Sequence, residues 1–346
     1  MLRMIIALIL SAAIVLLTGP HFIAWLRKLK LGQTIYELGP ESHRKKQGTP
    51  IMGGLFIALG CVAAFVVCGA AWAMDAFEDA VTKDYAWDHM LALLFVSLGS
   101  MAVGFGDDWI KMVKKRHEDL TPWQKIIGQA IVCVGFACYC YFHPQVGSKV
   151  IVPFVNVEWD LGIFYIPLLA LTVLFMVNSA NLQDGLDGIL STVTSVGCIG
   201  WAAIAVIAAE AGMMQENMTI AVFAAALCGA CIAFLRFNHY PATIFMGDTG
   251  SMFIGGAVVG MAMLLRQPFL LLLIGFTMVM SSVSVILQRY YYKLTRKIFG
   301  EPRRLFKMSP IHHHFEKCGM KETQIVLMYA VVTLALSAVE VLSVIL

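Results

Sequence analysis

Charge is scarce in this sequence. Only 14% of its 346 residues are Asp, Glu, Lys or Arg, against 59% hydrophobic residues and a mean hydropathy of +0.78, which excludes an ordinary soluble globular domain. Long low-complexity linkers and internal repeats are also lacking, so the chain, residues 1–346, reads as a single membrane domain. The nine cysteines fall mostly inside apolar runs, Cys228 and Cys231 included, and neither a redox nor a zinc role is expected of them. The first apolar run lacks a small-residue cleavage site, and its basic cluster of Arg27, Lys28 and Lys30 follows the run; a cleaved signal peptide is not expected.

What is present is a series of apolar runs, each about twenty residues long. At 1.5 Å of rise per residue such a run crosses roughly 30 Å of hydrocarbon as a helix, so the fold expected is all-α and polytopic, not a barrel. About ten spans are predicted, at roughly 4–26, 51–74, 89–106, 124–143, 163–180, 188–209, 218–236, 251–266, 268–290 and 324–345. Basic residues gather in alternate loops: 27–50 holds Arg27, Lys28, Lys30, Arg44, Lys45 and Lys46, 107–123 holds Lys111, Lys114, Lys115 and Arg116, and 291–323 holds a further series. The positive-inside rule makes these loops cytoplasmic and leaves both termini outside.

The same side collects acids and amides. "GFGDDWIK" supplies Asp107, Asp108 and Lys111; "VNSANLQDGLDG" supplies Asn178, Asn181, Asp184 and Asp187; "RFNHYPATIFMGDTGS" supplies Asn238, Phe245 and Asp248. A carboxylate at the centre of a membrane helix costs roughly 2.5–3.5 kcal/mol, so three clusters at one surface suggest a shared watery cleft. Any one Asp taken alone is most simply a solvated helix end. Asp107 and Lys111 are spaced as an ordinary i,i+4 ion pair, whereas adjacent Asp107 and Asp108 repel and invite a cation or a shared proton. Asp248, Thr249 or Ser251 is placed to cap the eighth span, and Gly247 and Gly250 would let phosphate oxygens approach its first-turn amides.

The segment "SPIHHHFEK" puts His312, His313 and His314 in the large basic loop. Three consecutive histidines cannot all face one ion in a regular element, and no zinc spacing accompanies them. A surface loop is the simplest reading; a pocket wall that binds phosphate through imidazole is the alternative.

"KQGTPIMGG", "GFGDDWIK", "NLQDGLDG", "FMGDTGS" and "PIHHHFE", in this order across about ten spans, closely resemble the phospho-N-acetylmuramoyl-pentapeptide transferase family, from about residue 27 to the C-terminus. Ile51 departs from the family pattern, which has threonine there. The resemblance implies transfer of phospho-MurNAc-pentapeptide from its UDP carrier to undecaprenyl phosphate, giving lipid I and UMP, at the cytoplasmic face of the bacterial inner membrane, with Mg2+ as cofactor. By motif match Asp248 would be the magnesium ligand, and Asp107, Asp108 and His312 would serve catalysis. Asn181, Asp184, Asp187, Asn238, Phe245 and Gln288 would form the nucleotide pocket, with Phe245 stacking on uracil. Lys46, Lys111, His313 and His314 would contact phosphates, sugar or nucleoside. Membrane lipid is an expected partner and nucleic acid is not; a homodimer is left open.

Two other readings compete. A transporter would also hold many spans and intramembrane acids, though its charged sites tend to lie near mid-membrane. A polyprenyl-phosphate N-acetylglucosamine-1-phosphate transferase is the alternative within the enzyme reading.

Overall fold

The structure is a computed structural model that describes residues 1–28, 48–75, 80–114, 120–210 and 216–345. Lys46 lies outside the described residues. Among the described residues eleven α-helices follow one another: α1 (Leu2–Lys28), α2 (Gly54–Asp75), α3 (Ala80–Lys114), α4 (Pro122–Phe142), α5 (Tyr165–Gln183), α6 (Ile189–Glu210), α7 (Asn217–Asn238), α8 (Gly247–Leu264), α9 (Phe276–Phe299), α10 (Ile311–Lys317) and α11 (Glu322–Ile345). Among the described residues nine of these are long and apolar enough to cross a membrane. The all-α polytopic fold is therefore as expected.

Burial separates centre from periphery. In α7 and α8, 83% and 89% of the spanning window is buried, against 22% in α1 and 28% in α11. Such helices have little hydrophobic drive to associate within lipid, so close backbone approach through small residues has to supply the packing. α8 has that composition, with Gly250, Gly255, Gly256 and Gly260 along it. A side chain on Gly54 of α2 would collide with the backbone at Thr249 and Gly250, and one on Gly104 of α3 would collide with the Asp248 carbonyl. The N-terminus of α8 is thus gripped on two sides by helices that carry no side chain at the contact.

One predicted span has a different form. Residues 268–290 do not make one helix: Pro268–Leu272 form a 3-10 turn, and α9 starts only at Phe276 and runs on to Phe299. Pro268 has no N–H to give a continuous helix, and the Met176 side chain of α5 packs against Gly275 at the break. α9 is instead tied to α5 by polar contacts: the Gln183 amide donates to the Thr277 hydroxyl (2.9 Å), and the Ser179 and Ser282 hydroxyls share a bond of 2.7 Å.

At the opposite end from the acidic motifs, β1 (Lys149–Val152) and β2 (Val157–Asp160) pair antiparallel, Lys149 facing Asp160. Arg266, just beyond α8, fixes this hairpin through a 2.6 Å ion pair with Glu158 and a bond from the Ile151 N–H to its carbonyl (2.8 Å).

Candidate active site

Four helix ends meet around one cavity of about 320 Å³, whose walls include Asp108, Lys111, Asn181, Asp184, Asp248 and His313. The C-terminal part of α3 supplies Asp107, Asp108 and Lys111, the last turn of α5 supplies Asn181, and the first turn of α8 supplies Asp248. Asn238, the last residue of α7, lines the same space, as do Phe245, Asp187 and Ile51.

The adjacent aspartates do not act as a pair. Consecutive residues on a helix point about 100° apart, and the two carboxylates go to different partners. Asp107, 1% exposed, accepts from the Leu120 N–H (2.9 Å) and faces the ammonium groups of Lys111 (2.9 Å) and Lys125 (3.4 Å). Asp248 faces the same two ammonium groups, at 3.2 Å from Lys111 and 2.9 Å from Lys125, and its other oxygen accepts from the Asn181 amide (2.7 Å). The carboxylates that belong together are thus Asp107 and Asp248, from different helices, with two lysines between them. Two cations against two anions remove most of the cost of burying either charge.

Asp108 has another task. Its Oδ1 accepts from the Asp248 N–H (3.2 Å), and its Oδ2 accepts from the Thr249 N–H (2.9 Å) and hydroxyl (2.6 Å). No side chain of α8 itself caps that helix; Asp108 does so from across the interface, where a negative group also suits the helix dipole. The expectation that first-turn amides lie open to phosphate is therefore corrected for Asp248 and Thr249. Gly247 makes the cap possible, since its φ of 75° favours glycine and a Cβ there would lie 2.6 Å from Asp108 Oδ2.

The "NLQDGLDG" segment ends α5 and turns into α6. Asp184 is the C-cap of α5, and burial, then Asp248, Asp108 and Asp187, push its carboxyl up to about 8. Asp187 accepts from the Ala242 N–H (3.0 Å), and Asn238 bridges the Gly188 N–H and the Ile244 carbonyl. These two residues hold the loop that carries Phe245. The 50–54 segment holds it from the other side, through Phe245 N–H to the Pro50 carbonyl (2.8 Å) and Gly53 N–H to the Phe245 carbonyl (2.9 Å).

The three histidines divide. All lie on the short helix α10, and only His313 lines the cavity. His312 is fully buried, with its ring under Gly185, where a Cβ would collide with it. His314 turns away and accepts from the Lys307 N–H (3.1 Å). Gln288 is likewise outside this cavity: its amide is bonded to the backbone of Leu305 and Phe306, and it lines a second cavity.

Lys125 is the residue that motif reading missed. It sits at the fourth position of α4, after Thr121 and Gln124 form a capping box and Pro122 starts the helix. A cation that early in a helix opposes the dipole. That mismatch is the local signal that it has an acidic partner elsewhere.

The donor set suits a hard divalent cation. Asp248 presents carboxylate oxygen at the cavity, with Asp107 beside it. Among the described residues no three His, Cys, Asp or Glu side chains form a complete cage; Mg2+ typically takes one or two carboxylates and draws the rest from water and substrate phosphates.

A profile described as Glycosyl transferase family 4 matches residues 90–266, which include the motifs of α3, α5 and α8. The phospho-N-acetylmuramoyl-pentapeptide-transferase of Clostridium novyi (strain NT) is 39% identical over 344 residues, covering 99% of this chain and 97% of that protein. The chain belongs to the phospho-N-acetylmuramoyl-pentapeptide-transferase family. The relative of the same description from Clostridium kluyveri (strain ATCC 8527) is 38% identical over 99% of this chain and all of its own length, and that from Clostridioides difficile (strain 630) is 38% identical over 97% and 96%. In this family setting the chain is a bacterial multi-pass membrane protein and a transferase of sugar 1-phosphates, and the transporter reading falls away.

Proposed function

We infer that this chain transfers phospho-MurNAc-pentapeptide from UDP-MurNAc-pentapeptide to undecaprenyl phosphate, giving lipid I and UMP, at the cytoplasmic face of the inner membrane. The observation behind this is the Asp107–Lys111–Lys125–Asp248 cluster, whose Lys111 and Asp248 line the cavity while Asp107 and Lys125 stand behind them. The cytoplasmic placement is supported by charge: Arg27 and Lys28 end α1, and Arg296 and Lys297 end α9, at the end of the bundle that holds the cavity.

Displacement at the donor's β-phosphorus brings two phosphate-bearing partners together, so charge repulsion is the main obstacle. Lys111 lines the cavity, and Lys125 backs it through Asp248, with charge that can be shared between carboxylate and phosphate. The acceptor phosphate has a second pKa near 6 and arrives largely ionised at pH 7, so a strong base is not required. Asp107 orients that phosphate and takes its residual proton. Asp108 acts as a positioning residue, because it fixes the first turn of α8 and hence the direction of Asp248. Phe245 offers a flat face for uracil, and His313 offers an imidazole to the donor's sugar or phosphates. Mg2+, held by Asp248 with Asp107 beside it, would neutralise the diphosphate and the departing UMP.

The test is UMP release by the purified chain in detergent. Release should require both polyprenyl phosphate and Mg2+, and UDP-MurNAc-pentapeptide should be used far faster than UDP-GlcNAc. Equal use of both donors would instead assign N-acetylglucosamine 1-phosphate transfer.

A further inference from the structure

α9 has two unlike faces. Leu287, Tyr290, Leu294 and Ile298 are 46%, 70%, 54% and 62% exposed and recur at three- and four-residue steps, giving an apolar stripe. The opposite face carries Arg289, Lys293 and Arg296, which with the exposed Arg304, Lys307 and Lys317 line an open cavity of about 680 Å³. Six cations line this space and no carboxylate does.

The cavity is built, not incidental. The Gln288 amide accepts from the Leu305 and Phe306 N–H groups at 3.0 and 2.9 Å, and the Thr295 hydroxyl accepts from the Arg303 N–H at 2.9 Å, so the segment after α9 is fastened back over it. The Lys307 ammonium reaches the Lys317 carbonyl at 3.3 Å and joins this segment to α10. Among the described residues none of the six cations forms an ion pair with a carboxylate. Lys111 and Lys125, by contrast, each face two. Six like charges held around one space repel, and an anion from outside the chain relieves that repulsion.

We propose that this cavity binds the headgroup of an anionic phospholipid of the surrounding bilayer. The apolar stripe sets the depth: a helix with exposed Leu, Ile and Tyr on one side and Arg and Lys on the other lies in the interface, with its basic face among lipid phosphates. The cavity is separate from the one that holds Asp248. Among the described residues α10 joins them, with His313 in one and Lys317 in the other. The proposal requires that the chain sit in a membrane and does not depend on which sugar phosphate is transferred.

The full-length protein, reconstituted in nanodiscs of phosphatidylcholine with a minor fraction of phosphatidylglycerol, supplies the test, with retained lipid read by native mass spectrometry. The wild type should retain phosphatidylglycerol over phosphatidylcholine. Arg296→Gln combined with Arg304→Gln should weaken that retention about tenfold, and Arg296→Lys with Arg304→Lys should stay within about twofold of wild type. Unchanged retention in the Gln variant would overturn the proposal. Displacement of the lipid by an equal concentration of inorganic phosphate would also overturn it, in favour of a free-anion site. So would a raised KM for the donor nucleotide or the polyprenyl phosphate in the Gln variant with lipid retention intact, which would place a substrate there. Should the Gln variant fail to fold, salt titration of the wild type decides: retention must fall steeply with ionic strength, and salt-independent retention contradicts the proposal.

Discussion

The two cavities on either side of α10 hold charge in opposite ways. Around Asp248 two lysines are set against two aspartates, and a third aspartate is spent on the end of α8. Around α9 six cations share a space with no acid. A membrane enzyme can bury charge where it supplies both signs from its own helices, and keeps unbalanced charge where solvent or lipid headgroups can reach it. The first arrangement fixes geometry before substrates arrive; the second awaits a partner.

The largest effect that would break this contrast is at Asp248. Asp248→Asn leaves Lys111 and Lys125 with one carboxylate and removes the proposed metal ligand, so turnover should fall by about 10³-fold or more with the protein still folded. Substantial activity at saturating Mg2+ would remove Asp248 from that role. Lys125→Met comes next, with a loss on the order of 100-fold in kcat/KM, while Lys293→Met on α9 should change kcat/KM by less than about twofold. Comparable losses in the two variants would erase the distinction between balanced and unbalanced cations.

Asp108→Ala separates positioning from chemistry. Three charge-assisted bonds to the start of α8 are lost, and unfolding stability should drop by about 2–3 kcal/mol, with Asp108→Asn recovering part of it because an amide oxygen still accepts. A turnover loss that persists in Asp108→Asn with stability restored would make Asp108 a catalytic group.

The expectations for pH follow from Asp184. Its carboxyl is raised to about 8, so the folded chain holds a proton there that the unfolded chain releases near 4. Stability of the substrate-free protein should accordingly fall as pH rises from about 4 to about 8, and Asp184→Asn should flatten that part of the profile. The smallest effect is at the far end. Arg266 and Lys149 hold the exposed Glu158 carboxyl below its usual range, so any contribution is present above the ordinary glutamate range and fades as pH falls through the lowered value. Glu158→Gln should leave turnover unchanged and shift stability by less than about 0.5 kcal/mol.

Much of this was legible in the sequence. Apolar runs gave the helices, because in lipid a long apolar segment has little alternative to a helix, and the ordered motifs brought Asp107, Asp108, Asn181, Asp184, Asn238, Phe245 and Asp248 to one end. What was not legible depended on contacts between distant segments. The pairing of Asp107 with Asp248 rests on residues 141 positions apart meeting over Lys111 and Lys125, and no local spacing encodes that. The break before α9 arises from Pro268 and Gly275 together with Met176 from another helix. The separate directions of His312, His313 and His314 follow from the short helix they share, whose existence was not read from the basic loop around it.

Asp248, with Asp107 at its side, is proposed to hold a divalent cation in the shared cavity. Mn2+ binding followed by electron paramagnetic resonance in the presence of UMP tests this without turnover. One bound ion per chain is expected in the wild type and in Lys293→Met, and loss of that ion in Asp248→Asn. An ion bound equally well by Asp248→Asn would contradict it.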